Sequence, residues 1–142
     1  RPGTSEQQVR DAWSAVLLEL RPEVLPLLDH LANRFDLLLF SNTNALHAEH
    51  FERQILQENG KGFARAFRQI IYSHRLGHRK PQQKAYREVE RQFDLNPAQT
   101  LFIDDTLINV QGAQKAGWTA VHHEADELPL RTLLRKLDLN GV

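Results

Sequence analysis

Leu37-Leu38-Leu39-Phe40-Ser41-Asn42-Thr43-Asn44 marks the point at which the pattern of the chain changes. Before it, apolar residues recur at helical spacing. Val9, Ala12, Trp13, Val16, Leu17 and Leu20 form one stripe over residues 6–20, with Ser5 placed to cap it, and Val24, Leu27, Leu28, Leu31 and Phe35 form another behind Arg21-Pro22. Proline suits a first helical turn, so the second helix is expected to begin there and to end near Arg34. The four consecutive apolar residues 37–40 break this period, as a strand covered on both faces of a parallel sheet does. Ser41, Asn42 and Thr43 then close it in turn chemistry.

The same event recurs downstream. Short apolar runs predict strands over 70–73, 100–103 and 119–122, and helical patterns fall over 46–56, 82–92, 109–116 and 128–137. Strand alternating with helix at these lengths predicts an α/β fold, an open parallel sheet with helices on both faces. Gly60, Lys61 and Gly62 mark a loop between helical pieces and not a domain linker. A chain of 142 residues fits a single domain over 1–142, with 1–36 a helical segment leading into the core.

Composition narrows the function classes. Hydrophobic residues make up 41% and charged residues 25% of the chain, the balance of an ordinary globular protein. Eighteen basic residues match eighteen acidic ones, so no net field draws the chain to nucleic acid or to an anionic membrane. Without cysteine there is neither a disulfide framework nor a thiolate metal site. No apolar run approaches a membrane span and no signal-type segment leads the sequence, so a cytoplasmic setting is the default expectation. The chain has no methionine and opens on Arg1-Pro2-Gly3-Thr4, and is read as a fragment.

In an open parallel sheet, ligands bind outside the carboxyl ends of the strands, where several loops converge. The first predicted strand ends in Ser41-Asn42-Thr43-Asn44, the second leads through His74, Arg75, Leu76, Gly77 and His78 to Arg79-Lys80-Pro81, and the third ends in Asp104-Asp105. A hydroxyl, an ammonium and a carboxylate pair would meet at one crevice. Ser41 can donate to a phosphoryl oxygen, with Asn42 adding amide donors. Lys80 offers a positive charge against a phosphoryl group. Asp104 and Asp105 offer hard oxygen ligands suited to Mg2+. Each piece alone has a plainer use: a serine-asparagine turn caps helices, a lysine before proline is a solvated turn residue, and one aspartate of a pair can cap a helix. Their succession at three strand ends is what points to phosphate.

These residues resemble the motifs of the haloacid dehalogenase superfamily. Residues 37–44 look like its second motif, His78-Arg79-Lys80-Pro81 like its third with Lys80 in the lysine position, and residues 101–109 like its fourth, an acidic pair followed by Asn109. With Arg21-Pro22-Glu23-Val24, the set is similar to the sugar-phosphate phosphatase branch related to bacterial glucose-1-phosphate phosphatases. The resemblance implies a magnesium-dependent phosphate monoester hydrolase working through an aspartyl-phosphate intermediate on a small phosphorylated metabolite such as a sugar phosphate. Ser41, Asn42 and Lys80 would hold phosphate, and Asp104 and Asp105 the metal. It also makes the chain the C-terminal part of the hydrolase core, with most of the cap lying ahead of it.

The family's first motif, an apolar strand ending in aspartate-x-aspartate, has no counterpart ahead of Ser41. Asp11 and Asp29 sit alone in helical patterns. The chain by itself is therefore expected to be inactive. The family's nucleophile strand lies between the Ser41 and Asp104 strands, so its absence should expose two strand edges that an upstream segment, another chain or a rearrangement would cover. Rival expectations are a non-catalytic phosphate-binding or regulatory module and a haloacid dehalogenase, the latter needing no magnesium. Phosphate-receiver domains carry their acids first and lysine last, the opposite order. His47 and His50 share a helical face without a third ligand and read as surface histidines; His122 and His123 follow the last strand and could approach the crevice but read better as ordinary polar strand-end residues, and Arg131, Arg135 and Lys136 read as a solvated face.

Overall fold

The computed structural model describes residues 24–58, 62–124 and 130–136. The helix expected over 6–20, the Arg21-Pro22 helix start and the Gly60-Lys61 loop lie outside them. In chain order the elements are α1 (Val24–Ala32), β1 (Leu38–Ser41), α2 (Ala45–Glu58), α3 (Gly62–Ala66), β2 (Gln69–Tyr72), α4 (Ser73–Leu76), α5 (Gln83–Phe93), a 3-10 turn (Pro97–Gln99), β3 (Leu101–Asp104), α6 (Leu107–Lys115), β4 (Thr119–His122) and α7 (Leu130–Lys136). All four expected strands are present, three of them within one residue of the expected bounds and the last with the same bounds. The short helices α3 and α4 were not visible in the pattern: each is too brief to show a helical period.

The pairing is parallel, as the alternation of strand and helix requires. β1 pairs with β2, Phe40 opposite Ile71, and β3 pairs with β4, Ile103 opposite Val121. Among the described residues these are two separate two-stranded ladders, with no hydrogen-bonded pairing between β1 and β3. Carbonyl directions show which edges have no partner strand among the described residues. Leu37 O accepts from Arg68 N on the β2 side, so alternation turns the carbonyls of Leu38 and Phe40 away from β2. Thr100 O and Asp104 O accept from Thr119 N and His123 N, which turns those of Leu101 and Ile103 away from β4.

Both faces of the strands are covered. Leu38 and Phe40 pack into a cluster around Tyr86, Phe102 and Trp118, while Leu37 and Leu39 pack on the other face with Leu28, Phe63 and Ala66. Ile103 joins Leu27, Leu31 and Leu134, bringing α1 and α7 together over β3. The continuous apolar run 37–40 thus has its physical explanation: alternate side chains enter two different cores.

Tyr86 is the hub of the first core. It is fully buried, and its ring meets Phe40, Phe102 and Trp118 edge-on at centroid distances of 6.2, 5.9 and 5.4 Å. Each such contact is worth about 0.5–1.5 kcal/mol beyond the area it buries. Its hydroxyl donates to Asn109 O at 2.7 Å. Burial, and then the charge of Asp104, pushes this phenol up to about 12, so it stays a donor. No described helix is long and apolar enough to cross a membrane.

Candidate functional site

The carboxyl ends of β1 and β3 are joined by one side chain. Lys80 is 6% exposed, and its Nζ donates to Phe40 O at 2.8 Å and to Asp104 Oδ2 at 2.6 Å. The rings of Phe40 and Phe102 lie 5.1 and 5.3 Å from the ammonium, adding cation–π attraction in a water-poor setting. Sequence reasoning placed Lys80 at this crevice; the structure makes it the bridge between the two ladders.

Three devices hold it there. Asn42 uses both ends of its amide on the Lys80 main chain: its Oδ1 accepts from Lys80 N at 2.9 Å and its Nδ2 donates to Lys80 O at 2.8 Å. Ser73 at the end of β2 accepts from Thr43 N and donates to Thr43 O, both at 3.0 Å, locking the loop after β1 to the start of α4. Gly112 of α6 lies so close to Pro81 that an added Cβ would stand 2.8 Å from Pro81 O and 2.9 Å from Tyr86 Oη. Only glycine allows α6 to back the Lys80-Pro81 turn this tightly.

Asp104 is equally confined, its side chain 7% exposed. Besides Lys80 it accepts from Thr106 N at 2.9 Å and Asn109 Nδ2 at 3.0 Å, both on Oδ1. Burial alone would raise its pKa, but the hydrogen bond and charge of Lys80, with the Asn109 and Thr106 donors, outweigh it and hold the carboxyl below the usual range. Asp105 faces solvent, its Oδ1 touched by Thr106 Oγ1 at 3.2 Å and its main-chain oxygen accepting from His122 Nε2 at 2.8 Å. His122 thus braces the acidic loop. Ser41 ends β1 and is half-buried.

The structure therefore brings Lys80 to Asp104 directly, with Ser41 the last residue of β1 and Asp105 the first residue past β3. It uses the Asn42 side-chain amide to position Lys80 rather than leaving it open toward a ligand. Asn109 emerges as a ligand of Asp104, which its place in the fourth motif hinted at. Ser73, Thr106 and Gly112 carried no such signal: their roles depend on contacts distant in sequence or on a single N–H.

Three of the roughly four lone-pair positions of the Asp104 carboxylate are used by described donors, leaving one on Oδ2. No cluster of three or more His, Cys, Asp or Glu that could hold a metal occurs among the described residues. That donor set does not enclose an ion by itself. It fits magnesium, which is content with one or two carboxylates and takes waters and substrate phosphate for the rest.

The described strand ends thus carry a buried ammonium paired with a buried carboxylate, a second, exposed carboxylate and a half-buried serine. Comparison with known proteins makes the class definite. A family profile described as "Hydrolase: haloacid dehalogenase-like hydrolase" matches residues 4–117, and the chain belongs to that family. A predicted haloacid-dehalogenase-like hydrolase of Porphyromonas gingivalis superposes with a TM-score of 0.81 at 28% identity, over 94% of this chain and 65% of that one. A magnesium-bound enzyme of the family from Bacteroides thetaiotaomicron gives 0.82 at 26% identity, over 92% and 66%. A further structure of that enzyme holds magnesium and inorganic phosphate. The sesquiterpene phosphatase astK of Aspergillus oryzae is 44% identical over 46 residues, 32% of this chain and 24% of that protein. The chain thus spans about a quarter of this curated relative and just under two thirds of these solved neighbours.

Proposed function

We propose that the complete protein hydrolyses phosphate monoesters of a small metabolite, a sugar phosphate among the candidates, with Ser41 and Lys80 holding the phosphoryl group and Asp104 and Asp105 placed for magnesium. The observation that carries this is the buried Lys80 ammonium, fixed between the end of β1 and Asp104. A cation so held needs no reorganisation to meet a phosphoryl oxygen. Magnesium, when bound, would draw charge from that oxygen. A phosphatase relative and a neighbour holding magnesium and phosphate support the assignment.

The aspartate that attacks phosphorus would ride on a strand pairing with both β1 and β3, and the outward carbonyls of Leu38, Leu101 and Ile103 are the edges it would use. The 142-residue chain alone would then be inactive. In the complete protein Asp105→Ala should abolish magnesium-dependent release of phosphate from a monoester; unchanged turnover would reject the metal role of Asp105.

A further inference from the structure

Past the carboxyl end of β2 lies a shallow, solvent-open cavity of about 390 Å³ lined by Ser73, His74, Gly77, His78, Arg79 and Gln82. The lining holds one guanidinium and two imidazoles and no carboxylate. Among the described residues the Arg79 guanidinium has no ion-pair or hydrogen-bond partner. Gly77, at φ 78°, turns the chain from α4 toward Lys80, and no atom lies within 4 Å of where its Cβ would stand. The turn is conformational and leaves the cavity open.

This cavity is fastened to the phosphate site from two sides. Ser73 is doubly bonded to Thr43, two residues beyond Ser41. Arg79 immediately precedes Lys80, and Gln82 Oε1 accepts from Arg79 N at 3.3 Å, closing the loop that presents both. A planar guanidinium matches the two oxygens of a carboxylate or phosphoryl group, and imidazole N–H groups add donors. From this geometry we propose that the cavity receives a second anionic group of the substrate, so that the molecules processed carry a carboxylate or second phosphoryl besides the one at Ser41 and Lys80. The inference rests on the phosphate site proposed above and narrows its substrate class.

The test is calorimetric binding of methylphosphonate, methylenediphosphonate and phosphonoacetate, none hydrolysable, to the full-length protein at constant magnesium. One or both two-anion ligands should bind about tenfold more tightly than methylphosphonate, the gain of one charge-assisted contact. Preference for methylenediphosphonate assigns the cavity to phosphoryl, and preference for phosphonoacetate assigns it to carboxylate. In the double variant Arg79→Gln, His78→Gln most of the preference should vanish. Binding without preference, or a preference that survives the double variant, overturns the inference while leaving the phosphate site standing. If neither the three ligands nor inorganic phosphate binds, the phosphate site itself fails and the inference falls with it.

Discussion

Two ion pairs of nearly equal length stand in different parts of this molecule. Lys80 and Asp104 meet at 2.6 Å with each side chain 7% exposed, whereas Arg91 and Glu88 on the outside of α5 meet at 2.5 Å with Arg91 70% exposed. The Arg91 hydrogen bond, followed by that of Gln92, holds the Glu88 carboxyl down to about 2, so the outer pair is well formed. Its setting decides what it is worth: water and salt screen an exposed pair, and each partner can be solvated if the other leaves. Neither Lys80 nor Asp104 has that escape. Lys80 donates to Asp104 and Phe40 O, and Asp104 accepts from Lys80, Thr106 and Asn109, so the inner pair orders the loops around it while the outer pair decorates a helix.

The largest expected effect is therefore at Lys80. Lys80→Met leaves a buried carboxylate without its cation and should cost about 3–5 kcal/mol in urea unfolding at neutral pH. A loss no larger than that of a surface lysine would dissolve the contrast. Gly112→Ala comes next. It removes no charge but forces Pro81 and Tyr86 to give way, and should cost about 1–3 kcal/mol by the same measurement. Phosphate-ester turnover in the complete protein should drop with it, because the strain falls on the turn that carries Lys80.

Acid sharpens the comparison further. The folded-state pKa of Asp104 is depressed, so its stabilisation is complete above the unfolded value near 4 and is lost as pH falls through the lower folded value. Without Lys80 the burial that remains favours the neutral acid. The deficit of Lys80→Met relative to wild type should then shrink on acidification, as denaturant midpoints measured from neutral pH downward would reveal; a constant deficit would place its origin outside the pair. The smallest effect is at the outer pair, where Arg91→Gln should leave the thermal midpoint where it stands.

Much of this architecture was legible in one dimension. The run 37–40 announced a strand buried on both faces, and its residues do divide between two cores. The three polar strand ends announced the crevice, and Lys80 and Asp104 meet there. What could not be read was the wiring. Asn42 looks like a free amide donor until Lys80, 38 residues on, is folded against it. Gly112 looks like a tolerated helical glycine until Pro81 closes on it. Serine at position 73 has no periodicity to betray that it clasps Thr43. Such roles belong to contacts between distant segments, which composition and spacing do not encode. Residues 62–66 and 73–76 escaped for another reason: one turn of helix is shorter than the period that would reveal it.

The clasp around Asn42 also bears on how the protein ages. Asparagine slowly becomes aspartate when the main-chain nitrogen of the next residue attacks the side-chain carbonyl carbon. Here that nitrogen, on Thr43, is engaged by Ser73, and both ends of the Asn42 amide are held by Lys80. An aspartate formed at 42 would set a carboxylate oxygen against Lys80 O, oxygen facing oxygen, and push the turn away. The hydrogen bonds that seat the lysine thus also restrain the reaction that would unseat it, tying the durability of the site to its geometry.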